Sequence, residues 1–167
     1  MEPEVLFVER CIKFLKPGTG QCGIVLPDSI LSNPGYAFLR YWILMNCQIL
    51  ASIDLPVETF LPRTGTQTSV LILRRKSDQE KLMESMSGKM IEYDIFMANV
   101  KKVGKDRRGS IVFKKDDIGR EIVDRSLYKP FAESNLLDFL PIVETTGRII
   151  DDELPIVASL YYSEKMK

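Results

Sequence analysis

The chain contains no histidine. That removes the Ser-His and Cys-His pairings of nucleophilic hydrolases, and every histidine-ligated metal, from what these residues can build. Cysteine is scarce as well: Cys11, Cys22 and Cys47 are widely spaced, odd in number and set among apolar neighbours. They read as buried thiols of a reducing compartment, not as a disulfide frame or a zinc site, so no metal is expected. Net charge is missing, since 23 Lys and Arg balance 23 Asp and Glu, and the whole chain lacks the basic excess of an autonomous nucleic-acid binder. No run approaches the roughly 18 apolar residues of a membrane span, and Met1 to Glu4 do not begin a signal peptide. The expectation is a soluble cytoplasmic protein with no membrane partner.

What is present is enough for a core: 167 residues, 45% of them hydrophobic, suit one ordinary globular domain. Charge is distributed unevenly along it. Residues 1–70 carry 5 basic and 6 acidic side chains, residues 71–115 carry 12 and 6, and residues 116–167 carry 6 and 11. A basic face beside an acidic appendage follows.

Val5, Val8, Ile12 and Leu15 recur at helical spacing with Glu9, Arg10 and Lys13 between them, and Pro17 with Gly18 stops the pattern. Cys22 to Leu26 reads as a buried strand ending at Pro27, and Tyr36 to Met45 as a helix buried on more than one side, with Phe38, Tyr41, Trp42 and Met45 along one face. Gln48 to Leu55 and Thr68 to Leu73 are further strands, the second closed by Arg74, Arg75 and Lys76. Strand, helix, strand with short connections predicts a βαβ unit in a mostly parallel sheet. A short helix is expected over Asp78 to Met86 and a strand over Tyr93 to Val100. Beyond Lys101 the chain turns polar. A hairpin of Ile111 to Phe113 with Glu121 to Val123 around Asp116 to Gly119, an apolar stretch at Leu136 to Leu140, and a last helix over Leu154 to Tyr162 capped by Asp151 or Asp152 are expected, with no internal repeat.

Two short motifs suggest chemistry. Gly18, Gly20 and Gly23 spell G-x-G-x-x-G, but they follow a helix and precede a strand, the reverse of a nucleotide-binding loop. Helix-to-strand turns use glycine for left-handed backbone, which accounts for them. Asn33 to Tyr36 reads Asn-Pro-Gly-Tyr, one residue from the Asn-Pro-Pro-Tyr with which amino-group methyltransferases grip a flipped base. Asn33 lies six residues past Pro27, however, and Gly35 replaces the second proline and its φ restraint. A helix cap followed by Pro in the first turn explains the pair better.

The segments LFVERCIKFLKPGTGQCGIVLPDSILSNPGY and ILASIDLPVETFLPRTGTQTSVLILRRK, with IFMANVKKVGKDRRGS and DDELPIVASLYY downstream, closely resemble the modification subunit of type I restriction systems, the N6-adenine DNA methylases. The resemblance implies an α/β fold: the last strands of a Rossmann-like class I methyltransferase sheet, mixed and covered by helices, over residues 1–100, and an irregular polar extension over residues 101–167. In that family the S-adenosylmethionine loop and the Asn-Pro-Pro-Phe/Tyr catalytic loop lie upstream of the helix that opens this chain. The resemblance therefore implies a C-terminal half of the methylase domain, with no catalytic residue of its own and no S-adenosylmethionine held by this chain alone.

In similar enzymes the loop between the last two core strands lines the pocket for the flipped base. Phe60 falls there with Thr64, Gly65 and Thr68, and Phe60 is the candidate for stacking on adenine, or else a core plug beside Pro56 and Pro62. Asp28 is a loop-orienting carboxylate or a turn cap. Arg63 is placed to meet a phosphate, and Lys101, Lys102, Lys105, Arg107 and Arg108 form the densest basic cluster, for DNA-backbone contact or simply as a solvated loop. The partners implied are DNA, the specificity and restriction subunits, the missing N-terminal methylase half or a second copy; a non-catalytic docking module is the other reading.

Overall fold

Val5, Val8 and Ile12 are the buried stripe of the first helix, α1 (Pro3–Phe14), which opens on a proline in its first turn. The computed structural model describes residues 2–128 and 142–165, so the stretch Leu136 to Leu140 lies outside the described residues. The chain divides into two compact units: Met1–Leu55 with Thr66–Asn99, and Pro56–Gly65 with Val100–Lys167.

In the first unit α1 leads through Gly18, at φ +81°, into β1 (Gln21–Pro27). There follow α2 (Asp28–Ser32), α3 (Ala37–Asn46), β2 (Cys47–Leu55), β3 (Thr68–Arg75), α4 (Asp78–Ser87) and β4 (Phe96–Asn99). The four strands stand in the order β1-β3-β2-β4. β3 is antiparallel to both β1 and β2, and only β2 and β4 are parallel neighbours, so the sheet is mixed and not mostly parallel as the βαβ pattern predicts. The crossover from β1 through α3 to β2 does give two strands of like direction. It leaves a gap of one strand, and β3 fills that gap by doubling straight back from β2. A bulge between Ile49 and Ala51 shifts the register of β2 on β3. Beyond it Ala51, Ile53 and Leu55 are buried on the opposite face from Ile49 and Leu73.

The core joins α1, α2 and α3 to the sheet through Val5, Val8, Ile12, Leu26, Ile30, Leu39, Ile43, Cys47, Leu71 and Leu73. Two burial expectations change. β1 is an edge strand with Gly23 and Val25 open to solvent, because only one of its faces meets the helices. α3 buries Leu39 and Ile43, whereas Phe38 is 58% and Tyr41 62% exposed. The aromatic face expected to be interior lines, with Val5 and Glu9 of α1, an open apolar groove of about 370 Å³. Helical periodicity reports that a face is apolar, not that anything covers it.

The three cations that close β3 each finish another element. Arg74 donates to Gly18 O (2.7 Å), to Gln48 Oε1 and to Glu80. Arg75 donates to Lys13 O and Leu15 O, the orphan carbonyls at the end of α1. Lys76, 3% exposed, donates to Leu44 O (2.7 Å) and to both oxygens of Glu84 on α4. Ser77 and Glu80 form a capping box at the start of α4.

The second unit is built from turns. Asp106 accepts at Oδ1 from the N–H groups of Arg108 and Ser110, and Asp116 accepts likewise from Ile118 and Arg120. Both turns end in a left-handed glycine, Gly109 and Gly119, and Glu144 to Arg148 repeats the backbone pattern with Gly147. The segments KDRRGS and KDDIGR are thus one turn used twice, a repeat of ten residues that corrects the reading of no internal repeat. It hides in sequence because only Lys, Asp and Gly recur, and of these the backbone geometry demands only Asp and Gly. A hairpin does close around Asp116 to Gly119, with Lys115 bridged to Glu121, but the expected pairing of Ile111 to Phe113 with Glu121 to Val123 does not form: Ile111 bridges Lys105, Phe113 bridges Ile150 and Val123 bridges Arg148. Asp152 accepts from Leu154 N at 2.8 Å and caps α5 (Leu154–Lys165).

Candidate functional site

In open α/β sheets ligands meet the chain beyond the carboxyl ends of like-directed strands. Here that end is marked by Asp28 after β1, Asp54 near the end of β2, and Gln67, Thr68 and Ser69 leading into β3. The Asp28 carboxylate accepts from Ser69 Oγ at 2.7 Å, and the Asp28 backbone N–H donates to Gln67 O at 3.0 Å. It ties the β1–α2 corner to β3 and does not cap its own helix. Gln67 Nε2 in turn donates to Asp54 at 3.3 Å. Sequence reasoning named Asp28 but missed Ser69, Gln67 and Asp54. The signal was their common place at strand ends, visible only once the strand order is known.

Thr68 is 8% exposed, in register with Pro27 and Leu55, and its hydroxyl has no hydrogen-bond partner. Phe60, Arg63, Thr64 and Gly65 belong to the second unit and share one turn: Phe60 O accepts from Arg63 N at 3.0 Å and from Thr64 N at 3.2 Å. Phe60 is 39% exposed and is therefore not a core plug. Arg63 and Gly65 are exposed.

The two short motifs are accounted for locally. The Asn33 side chain accepts from Gly35 N at 2.8 Å, which is the cap. A Cβ added at Gly20 would collide with the backbone N and O of Lys16, so this glycine serves a tight chain crossing inside the helix-to-strand turn. Neither arrangement forms a cradle for a nucleotide cofactor.

In the second unit Lys101, Lys102, Lys105 and Arg107 border one concavity of about 300 Å³, with Glu58, Asp106 and Asp151. Lys102 Nζ lies 2.8 Å from Asp151, whose hydrogen bond raises the ammonium above its ordinary range. Arg107 Nε lies 3.3 Å from Glu58. Arg108 is exposed at the turn beside it. No group of His, Cys, Asp and Glu among the described residues is arranged to hold a metal ion. Nor, among them, is any helix long and apolar enough to cross a membrane. The buried Cys47 thiol is pushed up to about 11 by desolvation, then by Cys22, against nearby cations, which makes it an inert core thiol.

The family model of N-6 DNA methylases matches residues 2–135. No curated protein matches the chain. Among solved structures, one assigned as a class I S-adenosylmethionine-dependent methyltransferase from Listeria monocytogenes is 25% identical with a TM-score of 0.43, covering 57% of this chain and 26% of that one. A chain from a study of assembly and conformational transition in the type I R-M system is 23% identical with a TM-score of 0.46, covering 59% and 18%. A modification subunit assigned to a type I restriction enzyme of Vibrio vulnificus YJ016 is 16% identical with a TM-score of 0.41, covering 91% and 31%. The chain thus spans less than a third of the length of these three structures. With the family model matched from residue 2 to residue 135, the chain belongs to the N-6 DNA methylase family.

Proposed function

We propose that this chain is part of the modification subunit of a type I restriction-modification system, whose complete enzyme methylates adenine N6 in DNA. Residues 1–100 form the later part of the methyltransferase core and residues 101–167 an extension. In the complete enzyme S-adenosylmethionine supplies an electrophilic methyl group. On this reading the chain alone holds no S-adenosylmethionine and transfers no methyl group. Its contribution is to the substrate side. A base flipped out of the duplex needs an aromatic surface to replace its lost stacking, and phosphates need cations near the strand ends.

The observation that carries this reading is the turn after β2, which holds Phe60 partly open between Thr59 and Arg63 within a chain of this family. Mixing the chain with a polypeptide bearing the upstream methylase segments and measuring transfer of labelled methyl to DNA tests it. Transfer is expected only from the mixture. Phe60→Ala is expected to lower kcat/KM roughly ten- to a hundredfold, the worth of one base–aromatic stack. Equal activity of Phe60→Ala and the parent mixture refutes the stacking role.

A second reading, a non-catalytic module that docks the other methylase half or a specificity subunit, is favoured by the apolar groove of Phe38, Tyr41 and Met45 and by the open edge of β1. It predicts association in sedimentation at tens of micromolar; a monomer under those conditions removes its support.

A further inference from the structure

The five clustered cations are not equally free. Lys101, Lys105 and Arg108 have no carboxylate at ion-pair distance among the described residues, whereas Lys102 faces Asp151 and Arg107 faces Glu58. Both pairs sit at the solvent border, with Lys102 56% and Arg107 81% exposed against 21% for Asp151 and 27% for Glu58. The carboxylates are the better buried and better fixed members. Glu58 stands on the short 3-10 turn Val57–Thr59, and Asp151 is anchored at its backbone, its carbonyl accepting from Gly104 N at 3.0 Å. The lysine and arginine are long and exposed. Half-buried acids paired with exposed cations on the rim of one concavity amount to two internal anions in the place where external anions arrive.

Resting on the reading that this face meets DNA, we infer that Glu58 and Asp151 are built-in competitors for the phosphates of duplex DNA, holding Arg107 and Lys102 until phosphates at the right spacing displace them. Lys101, Lys105 and Arg108 make the first, always available contacts. Arg107 and Lys102 then swing from carboxylate to phosphodiester, a swap of one charge-assisted pair for another that needs little rebuilding of the fold. The consequence is weak binding to isolated or poorly placed phosphates and full binding only where several phosphates engage together. Affinity thereby depends on the geometry of the duplex, although no base is read.

The test is titration of a short labelled DNA duplex with the parent chain, Asp151→Asn, Glu58→Gln, and Glu9→Gln as a control that changes the net charge equally in the other compact unit. Asp151→Asn and Glu58→Gln are each expected to tighten binding roughly two- to fivefold, the worth of an exposed ion pair that no longer has to be broken. The slope of log K against log salt is expected to stay as the parent's, because Lys102 and Arg107 reach the same phosphates in both. Glu9→Gln is expected to bind as the parent does. A misfolded variant loses affinity, so a gain is not an artefact of folding. If both variants bind as the parent does while Lys101→Ala with Lys105→Ala weakens binding, the DNA face stands and the competition is overturned. If Glu9→Gln tightens binding equally, net charge is the cause and the competition is overturned. If inorganic phosphate at matched ionic strength displaces the duplex, the concavity is a free-phosphate site and the inference fails; if no variant binds DNA, both the inference and the reading beneath it fail.

Discussion

The two compact units solve the same problem by different physics. The first buries an apolar stripe from each of three helices against a sheet, and its polar groups serve to finish helix ends, as Arg75 does for α1. The second has scattered bridges between short extended segments, and its backbone is held by aspartates that accept from their own turns. Hydrophobic burial resists the loss of any one contact because neighbours share the load, whereas an Asx turn ended by a left-handed glycine depends on one carboxylate and one backbone angle. Substitutions in the first unit are therefore expected to cost most where a buried polar pair interrupts the core, and in the second where a turn glycine is replaced.

The largest effect is expected for Lys76→Ala. It strands the Glu84 carboxylate, 6% exposed, which accepts from both Lys76 and Ile91 N. Burial alone raises that carboxyl, yet the Lys76 ammonium and the Ile91 N–H hold it below the ordinary carboxylate range. Removing one partner of such a pair costs about 3–5 kcal/mol, readable as a lower urea midpoint. Full retention of stability means that the pair is not the anchor of α4.

Next is Gly147→Ala. The backbone sits at φ +83°, and a Cβ there comes 2.6 Å from Arg125 Cγ and 3.0 Å from Arg125 N. Gly119, at φ +84° in the matching turn, has nothing within 4 Å of the added Cβ. Gly119→Ala is expected to cost only the left-handed penalty of about 1–2 kcal/mol and Gly147→Ala clearly more. Equal losses in thermal unfolding mean that crowding at Arg125 is relieved freely.

The smallest effect is in the acid limb. The hydrogen bond from Arg74, then those from Ser77, draw the Glu80 carboxyl from an ordinary 4.5 down to about 2. Its folded value is depressed, so its stabilisation is complete above about 4.5 and is lost as pH falls toward about 2. Glu80→Gln removes that loss, and its stability is expected to vary less between pH 5 and pH 2 than the parent's. Parallel acid profiles of the two chains contradict the assignment.

Much of the first unit is legible from its residues: the α1 stripe, the strands ending at Pro27 and Leu55, and the Asn33 cap all lie where local chemistry puts them. Strand direction is not, because pattern identifies a strand without naming its neighbour, and β3 between β1 and β2 is a fact of long-range pairing. The exposure of Phe38 and Tyr41 is illegible for a related reason: an apolar helix face looks alike whether covered or bare. In the second unit Asp106, Gly109, Asp116 and Gly119 wrote the repeat openly, but its spacing of ten falls below the periods by which repeats are usually sought. At the strand ends Asp28 was legible as a turn residue, while its partner Ser69 lies 41 residues away and only folding joins them.

The most direct test of the central claim, that this chain serves the DNA side of a methylase and not its cofactor side, is calorimetric titration of S-adenosylmethionine into the purified chain. The account predicts no heat of binding, with Gly18 to Gly23 spent on a helix-to-strand turn. Saturable one-to-one binding contradicts it and places a cofactor site among these residues.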